Sequence, residues 1–289
     1  MSSPPPPRLA ILFAREAHRA LLFRRGPSKR VELVLWNTKT DRFEMGQWFT
    51  GRIYEHRCDL SPDGHFLVYF ASKFNARTVA DSEYTYAWTA VSRPPYLTAL
   101  ALWPKGNCWW GGGLFQDNYT LLLNHRSHEA VPHPGHVPTR IRVVPNPEAA
   151  GEDDPLYSDR LERDGWRLQQ EWKVEWQDME NGFETLSPEI RERQHPDGWF
   201  RVSLTRRLDN LRYSESFQVL RSVEDRVAIA LQRPSWLDWD HRGRLVALAR
   251  GGLWVANVKR SGVGEFTRLL DFTKHRYEPR ASPDWAKDW

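Results

Sequence analysis

The chain of 289 residues carries 41 basic and 37 acidic side chains, a formal charge of +4, with 15 Trp, 13 Phe and 9 Tyr. That length allows a well-buried core, and short aromatic-rich apolar runs punctuated by 18 Gly and 20 Pro favour strand over helix. Two cysteines, Cys58 and Cys108, are too few for a disulfide framework, and no apolar run approaches the roughly 20 residues that span a bilayer.

The first residues, Met1 to Pro7, read as a disordered proline-rich tail without the basic and apolar regions of a secretory signal. Leu9–Phe13 and Ala20–Phe23 are apolar runs parted by the polar Arg15-Glu16-Ala17-His18-Arg19, a first hairpin. Val31–Trp36 and Phe43–Phe49 follow across the turn-like Asn37-Thr38-Lys39-Thr40-Asp41. Four strands in about 40 residues is the size of one propeller blade.

A second unit repeats the plan, with strands around His56–Leu60, Phe66–Ala71, Tyr84–Val91 and Leu97–Leu102. Its first turn is distinctive: Cys58-Asp59-Leu60-Ser61-Pro62-Asp63-Gly64 runs into Phe66-Leu67-Val68-Tyr69-Phe70. Much later Leu237-Asp238-Trp239-Asp240-His241-Arg242-Gly243 runs into Leu245-Val246-Ala247-Leu248. His195-Pro196-Asp197-Gly198-Trp199 and Ala281-Ser282-Pro283-Asp284-Trp285 are partial echoes.

A third unit begins at Asn107-Cys108-Trp109-Trp110 and turns through Gln116-Asp117-Asn118 into Tyr119–Leu123. The rhythm then breaks. Residues 125–154 are rich in His, Pro, Gly and Glu, with one β-like island at Ile141–Val144, and read as an irregular insertion loop. Regularity returns with Trp199–Leu204, Tyr213–Leu220 and Val227–Leu231. It ends with Ser235–Asp238, Leu245–Ala249, Leu253–Val258 and Phe266–Leu270.

Turns near 18, 63, 117, 197, 242 and 284 are spaced by 45, 54, 80, 45 and 42 residues. The expectation is an all-β chain forming a single β-propeller of five blades over residues 1–289. Six result if Asp164-Gly165-Trp166 is a further turn; the competing reading starts a strand at Leu168–Trp176. Arg280–Trp285 matches the start of another unit and stops, so it is expected to pair with the N-terminal blade and close the ring. The Leu60-Ser61-Pro62-Asp63-Gly64 signature with its alternating apolar strand resembles the repeats of TolB-like and WD-repeat-like β-propellers, and the chain is similar to stand-alone bacterial propellers. That resemblance implies rims and a central channel offered to partners.

Chemistry-bearing groups are few. Asp59 and Asp238 stand five residues before their turn glycines; with Asp240 they are candidates for ligand contact at a channel mouth or for fixing the blade corner. Trp103, Trp109 and Trp110, beside Gly111-Gly112-Gly113, either pack between blades or stack on a sugar or a partner. His125, His128, His133 and His136 form two His-x-x-His pairs, weak zinc candidates in a loop without a defined supporting shell. No Gly-x-Ser-x-Gly is present, and Ser61, Ser203 and His195 do not compose a triad. Of the basic residues 33 are Arg and 8 Lys, an imbalance that reads as genome base composition. The longest basic runs are pairs such as Arg24-Arg25 and Arg206-Arg207.

The expected function is therefore a non-catalytic cytoplasmic scaffold that binds a protein through rim loops, with no cofactor, nucleic acid or membrane. The alternatives are a glycoside-hydrolase-like enzyme using channel carboxylates, which needs two acids at a set separation, and a carbohydrate or small-ligand binder using tryptophan platforms.

Overall fold

The computed structural model describes residues 5–26, 29–178, 180, 182–209, 212–221, 225–231 and 233–289. Of the expected tail, residues 1–4 lie outside the described residues; Pro5 and Pro6 are exposed and Pro7 is buried, so the fold begins inside the proline run. Among the described residues the chain is all-β apart from two short α-helices and four 3₁₀ turns, and no helix there is long and apolar enough to cross a membrane. It divides into two compact units, Met1–Arg160 with His275–Trp289, and Leu161–Lys274.

In the first unit β1 (Arg8–Phe13), β2 (Arg19–Arg25), β3 (Arg30–Asn37) and β4 (Arg42–Thr50) form an antiparallel meander, with Leu12 opposite Leu21 and Leu21 opposite Leu35. The second sheet holds β5 (Arg52–Ile53), β6 (Asp59–Leu60), β7 (Leu67–Ser72), β8 (Ala87–Ser92) and β9 (Ala101–Pro104), with the one-turn α1 (Ala76–Ala80) between β7 and β8. All six residues of β7 are buried. Side chains alternate across a strand, and here both sides are covered. Leu67, Tyr69 and Ala71 pack with Leu21, Phe23 and Leu33 of the first sheet, whereas Val68 packs with Trp103, Phe115 and Leu121. That double burial is why Phe66–Phe70 reads as an unbroken apolar run.

The third sheet contains β10 (Gly113–Phe115), β11 (Thr120–Leu123) and β12 (Arg142–Pro145). Asn107–Trp110, expected to start it, is loop instead. The β-like island at 141–144 does form a strand, but it runs parallel to β11, Leu121 facing Val143, so the 125–154 segment returns to the sheet it leaves. The helix α2 (Leu156–Arg163) follows. Asp164-Gly165-Trp166 ends this helix and is not a turn between strands. Gly165 N–H bonds to Glu162 O and Trp166 N–H to Leu161 O, a helix stop that uses the positive φ of 91° at Gly165. The six-blade count loses the turn on which it was based.

In the second unit β13 (Arg167–Gln170) precedes a small hairpin of β14 (Lys173–Trp176) and β15 (Phe183–Ser187). β16 (Glu189–Gln194), β17 (Arg201–Asp209), β18 (Arg212–Leu220) and β19 (Arg226–Val227) complete one sheet in the order β13-β16-β17-β18-β19. The last sheet orders β20 (Trp236–Trp239), β21 (Leu245–Ala249), β22 (Gly252–Ala256) and β25 (Thr267–Asp271), with β23 (Val258–Lys259) and β24 (Gly262–Val263) as a side hairpin.

The recurring turn has a recurring geometry. Ser61 N–H reaches Phe66 O, His195 N–H reaches Phe200 O, and Asp240 N–H reaches Arg244 O. In each the glycine three residues on donates back to the first residue's carbonyl, at φ of 70°, 74° and 69° for Gly64, Gly198 and Gly243. The side chain at the first position serves the loop in all three: Ser61 Oγ accepts from Phe66 N–H, His195 Nδ1 from Asp197 N–H, and Asp240 Oδ1 from Arg242 and Arg244 N–H. Different residues thus satisfy one backbone requirement.

The expected closing strand is absent: Arg280–Trp285 makes no sheet pairing and carries only a 3₁₀ turn at Asp284–Ala286. Pro279 and Pro283 remove two of the N–H donors a ladder needs. The segment is held by side chains within the first unit, Gln47 Nε2 donating to Arg280 O at 3.2 Å and Thr98 bonding Ser282 at 2.5 Å.

Close approach tests this packing. A Cβ on Gly112, at φ +80°, would sit 2.0 Å from Arg57 O, whereas on Gly106, at φ +70°, its nearest neighbour is 3.9 Å away. Gly106→Ala is expected to lose about 1 kcal/mol for left-handed strain and Gly112→Ala roughly 2 kcal/mol more, compared by urea unfolding. Equal losses would show that the loop around Arg57 yields freely.

Candidate functional site

The sequence candidates are dispersed and internally engaged. Asp59 is buried and accepts from Phe115 N–H at 2.8 Å, joining the second sheet to the third. Asp238, buried in the second unit, takes Trp239 N–H at 2.7 Å and pairs with Arg193. Burial pushes its carboxyl up, and Arg193 opposes that shift. Asp240 is locked by Arg244 Nε at 2.8 Å.

The three tryptophans do not make one surface. Trp103 is 1% exposed and belongs to the core, Trp109 is 57% exposed, and Trp110 lies half-buried beneath Lys105 and Arg126 with its Nε1 on Glu129. Glu129 also binds Lys105 Nζ at 2.7 Å. Burial disfavours the Glu129 charge, but Lys105 and Trp110 outweigh it and hold the carboxyl below its ordinary value.

Nor do the four histidines converge. His128 is exposed; His133 gives Nε2 to Glu83 at 2.9 Å and stacks on Tyr84; His136 Nδ1 meets Ala99 O at 3.0 Å. No group of three or more His, Cys, Asp or Glu among the described residues could hold a metal ion. His125 is fully buried. Thr89 Oγ1 accepts from Gly112 N–H at 2.8 Å and directs its own proton to His125 Nε2, also at 2.8 Å, leaving Nδ1–H for Glu129 O. The network requires a neutral ring, and burial pushes the imidazole down to about 4.

Sequence reasoning overlooked the hub that docks the 125–154 segment. Arg57, fully buried, gives Nε to Asp153 at 2.8 Å and Nη1 to Cys108 O and Trp110 O, both at 2.7 Å. Burial works against the Asp153 charge, yet His56 and Arg57 hold it well below the usual carboxylate range. Only the acidic Glu152-Asp153-Asp154 run hinted at a partner.

A second feature also escaped. The turns after β1, β6 and β10 meet at one end of the first unit, where Asp63 N–H bonds Asn118 and Glu16 N–H bonds Pro62 O. At the other strand ends a cleft of about 860 Å³ opens, lined by Arg8, Arg25, Lys29, Arg52, Lys73 and Phe74 and, among the described residues, by no carboxylate. Arg8 starts β1, Arg25 ends β2, Lys29 precedes β3, Arg52 starts β5 and Lys73 follows β7. Arg25 has Glu55 at 3.9 Å; Arg8, Lys29, Arg52 and Lys73 have no carboxylate partner among the described residues. Phe74 is 75% exposed, braced edge-to-face at 5.2 Å by Tyr86. Apart from Arg25 and Lys29, which belong to the pairs Arg24-Arg25 and Lys29-Arg30, the cations are isolated in sequence, so no long basic run announced them.

No family model and no curated protein matches this chain.

The buried histidine carries a pH test. Below 6.5 the unfolded chain takes up a proton at His125 that the folded chain refuses until about 4, so stability falls as pH drops through that window, by on the order of 3 kcal/mol. His125→Gln should flatten the decline of the urea midpoint between pH 7 and 4. A wild-type His125 ring titrating near 6.5 by NMR would contradict the assignment.

Proposed function

We propose that the chain is a non-catalytic binding module, built of propeller blades, that seats an anionic partner in the cleft at the strand ends of its first unit. The observation that carries this reading is a contrast. The carboxylates and histidines singled out for chemistry are largely bonded inside the fold, whereas four cleft cations have no acidic partner among the described residues and face a concavity with an exposed aromatic. Side chains spent on internal bonds are poorly placed to act on a substrate; unpaired cations gathered in a cleft raise the local concentration of anions.

The blade reading is supported by the recurring turn in both units and by five sheets of three or more strands among the described residues, in line with the five-blade spacing. A cytoplasmic setting is part of the proposal, since Cys58 and Cys108 are both free thiols.

The test is charge reversal at exposed positions that pair with no carboxylate. Arg8→Glu, Lys29→Glu and Lys73→Glu together should weaken binding of a fluorescein-labelled heparin fragment roughly tenfold or more at low salt, read by anisotropy. Lys39→Glu, Lys259→Glu and Arg260→Glu change net charge equally and lie outside the cleft. They should leave most of the affinity. Equal losses in the two variants would refute the cleft as the binding surface.

A further inference from the structure

Given that reading of the cleft, we infer that its occupant is a single strand of nucleic acid, with phosphates on the cations and one base stacked on Phe74. The cleft's hydrogen-bonding inventory points there first. Arg and Lys side chains only donate. Ser72 Oγ is engaged with Tyr54 Oη at 3.4 Å, Asn75 Oδ1 is taken by the N–H groups of Arg77 and Thr78, and Gly26 O is taken by Arg24. Among the described side chains of the wall, Thr50 keeps a hydroxyl with no bond to a described residue.

An acidic peptide brings an N–H with nearly every residue, and each one buried without an acceptor is unfavourable. A phosphodiester backbone brings acceptors alone, matched to charged side chains that only donate. The aromatic then separates single strand from duplex. Phe74 stands beside the cations 75% exposed, its ring inclined at 81° to Tyr86, which leaves much of the ring accessible to a stacking base. A duplex keeps its bases stacked on one another and would offer that ring nothing, whereas an unpaired base stacks on it whatever its identity. The combination of basic groove and aromatic platform is the general solution for sequence-tolerant single-strand binding.

The experiment uses the full chain with fluorescein-labelled dT12, an abasic 12-mer, a 12-base-pair duplex and a poly-Glu peptide, titrated by anisotropy at several salt concentrations. The expected result is that dT12 binds most tightly and that its affinity falls with salt at a log–log slope of roughly −3, as four or five phosphate contacts require. Phe74→Ala should weaken dT12 roughly tenfold without changing that slope, Phe74→Trp should retain binding, and neither should alter affinity for the abasic strand or for heparin. Phe74 is so exposed that its loss leaves the core intact, and unchanged heparin binding by the variant checks this.

Tighter binding of poly-Glu than of dT12, equal binding of duplex and single strand, or indifference of dT12 to Phe74→Ala would each overturn the inference while leaving the anionic-partner reading in place. Failure of every polyanion, heparin included, would remove both.

Discussion

The structure depends on strands that are buried on both faces. β7 and β21 have no exposed residue along their length. A strand of this kind cannot stop at one partner sheet; it needs apolar cover on each side. In the first unit the consequence is visible in two consecutive cores, one between the first and second sheets and one between the second and third. The loss per residue of leaving either face of β7 open, about 25 cal/mol per Å² of apolar surface, is what makes the stacking of sheets obligatory rather than incidental.

Where faces are buried, charge is confined to strand ends. This explains both halves of the functional reading. Carboxylates that fall within the layers, such as Asp59, Asp238 and Glu189, are bonded to a neighbouring backbone or to arginine, because an unpaired buried charge is not tolerated. Arg25 at the end of β2, Arg52 at the start of β5 and Lys73 after β7 instead reach the cleft from strand ends, Arg25 within 3.9 Å of Glu55 and Arg52 over the Tyr54 ring. The cleft lies at the edge of the same packing that builds the core, ringed by the side chains that start or finish β1, β2, β5 and β7.

The 125–154 segment shows how a departure from the meander is accommodated. Its strand β12 adds to the third sheet in the parallel direction, and Arg57 and Lys105 clamp it through Asp153 and Glu129. The histidines that suggested a metal loop serve instead to place it: His125 inside a neutral hydrogen-bond chain, His133 on Glu83. A chain that must re-enter a sheet after a long excursion needs such side-chain anchors, because backbone pairing of four residues is a weak constraint by itself.

Local pattern by itself determined the strand-rich class, the four strands from Arg8 to Thr50, the run from Leu67 to Ser72, the last sheet around Leu245–Ala249 and the recurring glycine turn. Each follows from interactions between near neighbours: alternation of burial, turn residues that bond their own backbone, and glycine at positive φ. Only the tertiary structure decided the parallel direction of β12, the unpaired course of Arg280–Trp285, the separate fates of Trp103, Trp109 and Trp110, and the gathering of Arg8, Arg25, Lys29, Arg52 and Lys73. The helix at Leu156–Arg163 lies between these cases, for its buried Leu156, Tyr157, Arg160 and Leu161 follow a helical stripe in which an arginine occupies an apolar position. The physical reason for the division is range. Turns and strands are written by residues a few positions apart, whereas a cleft is made by groups up to 70 positions apart that share nothing in sequence until the sheets have stacked.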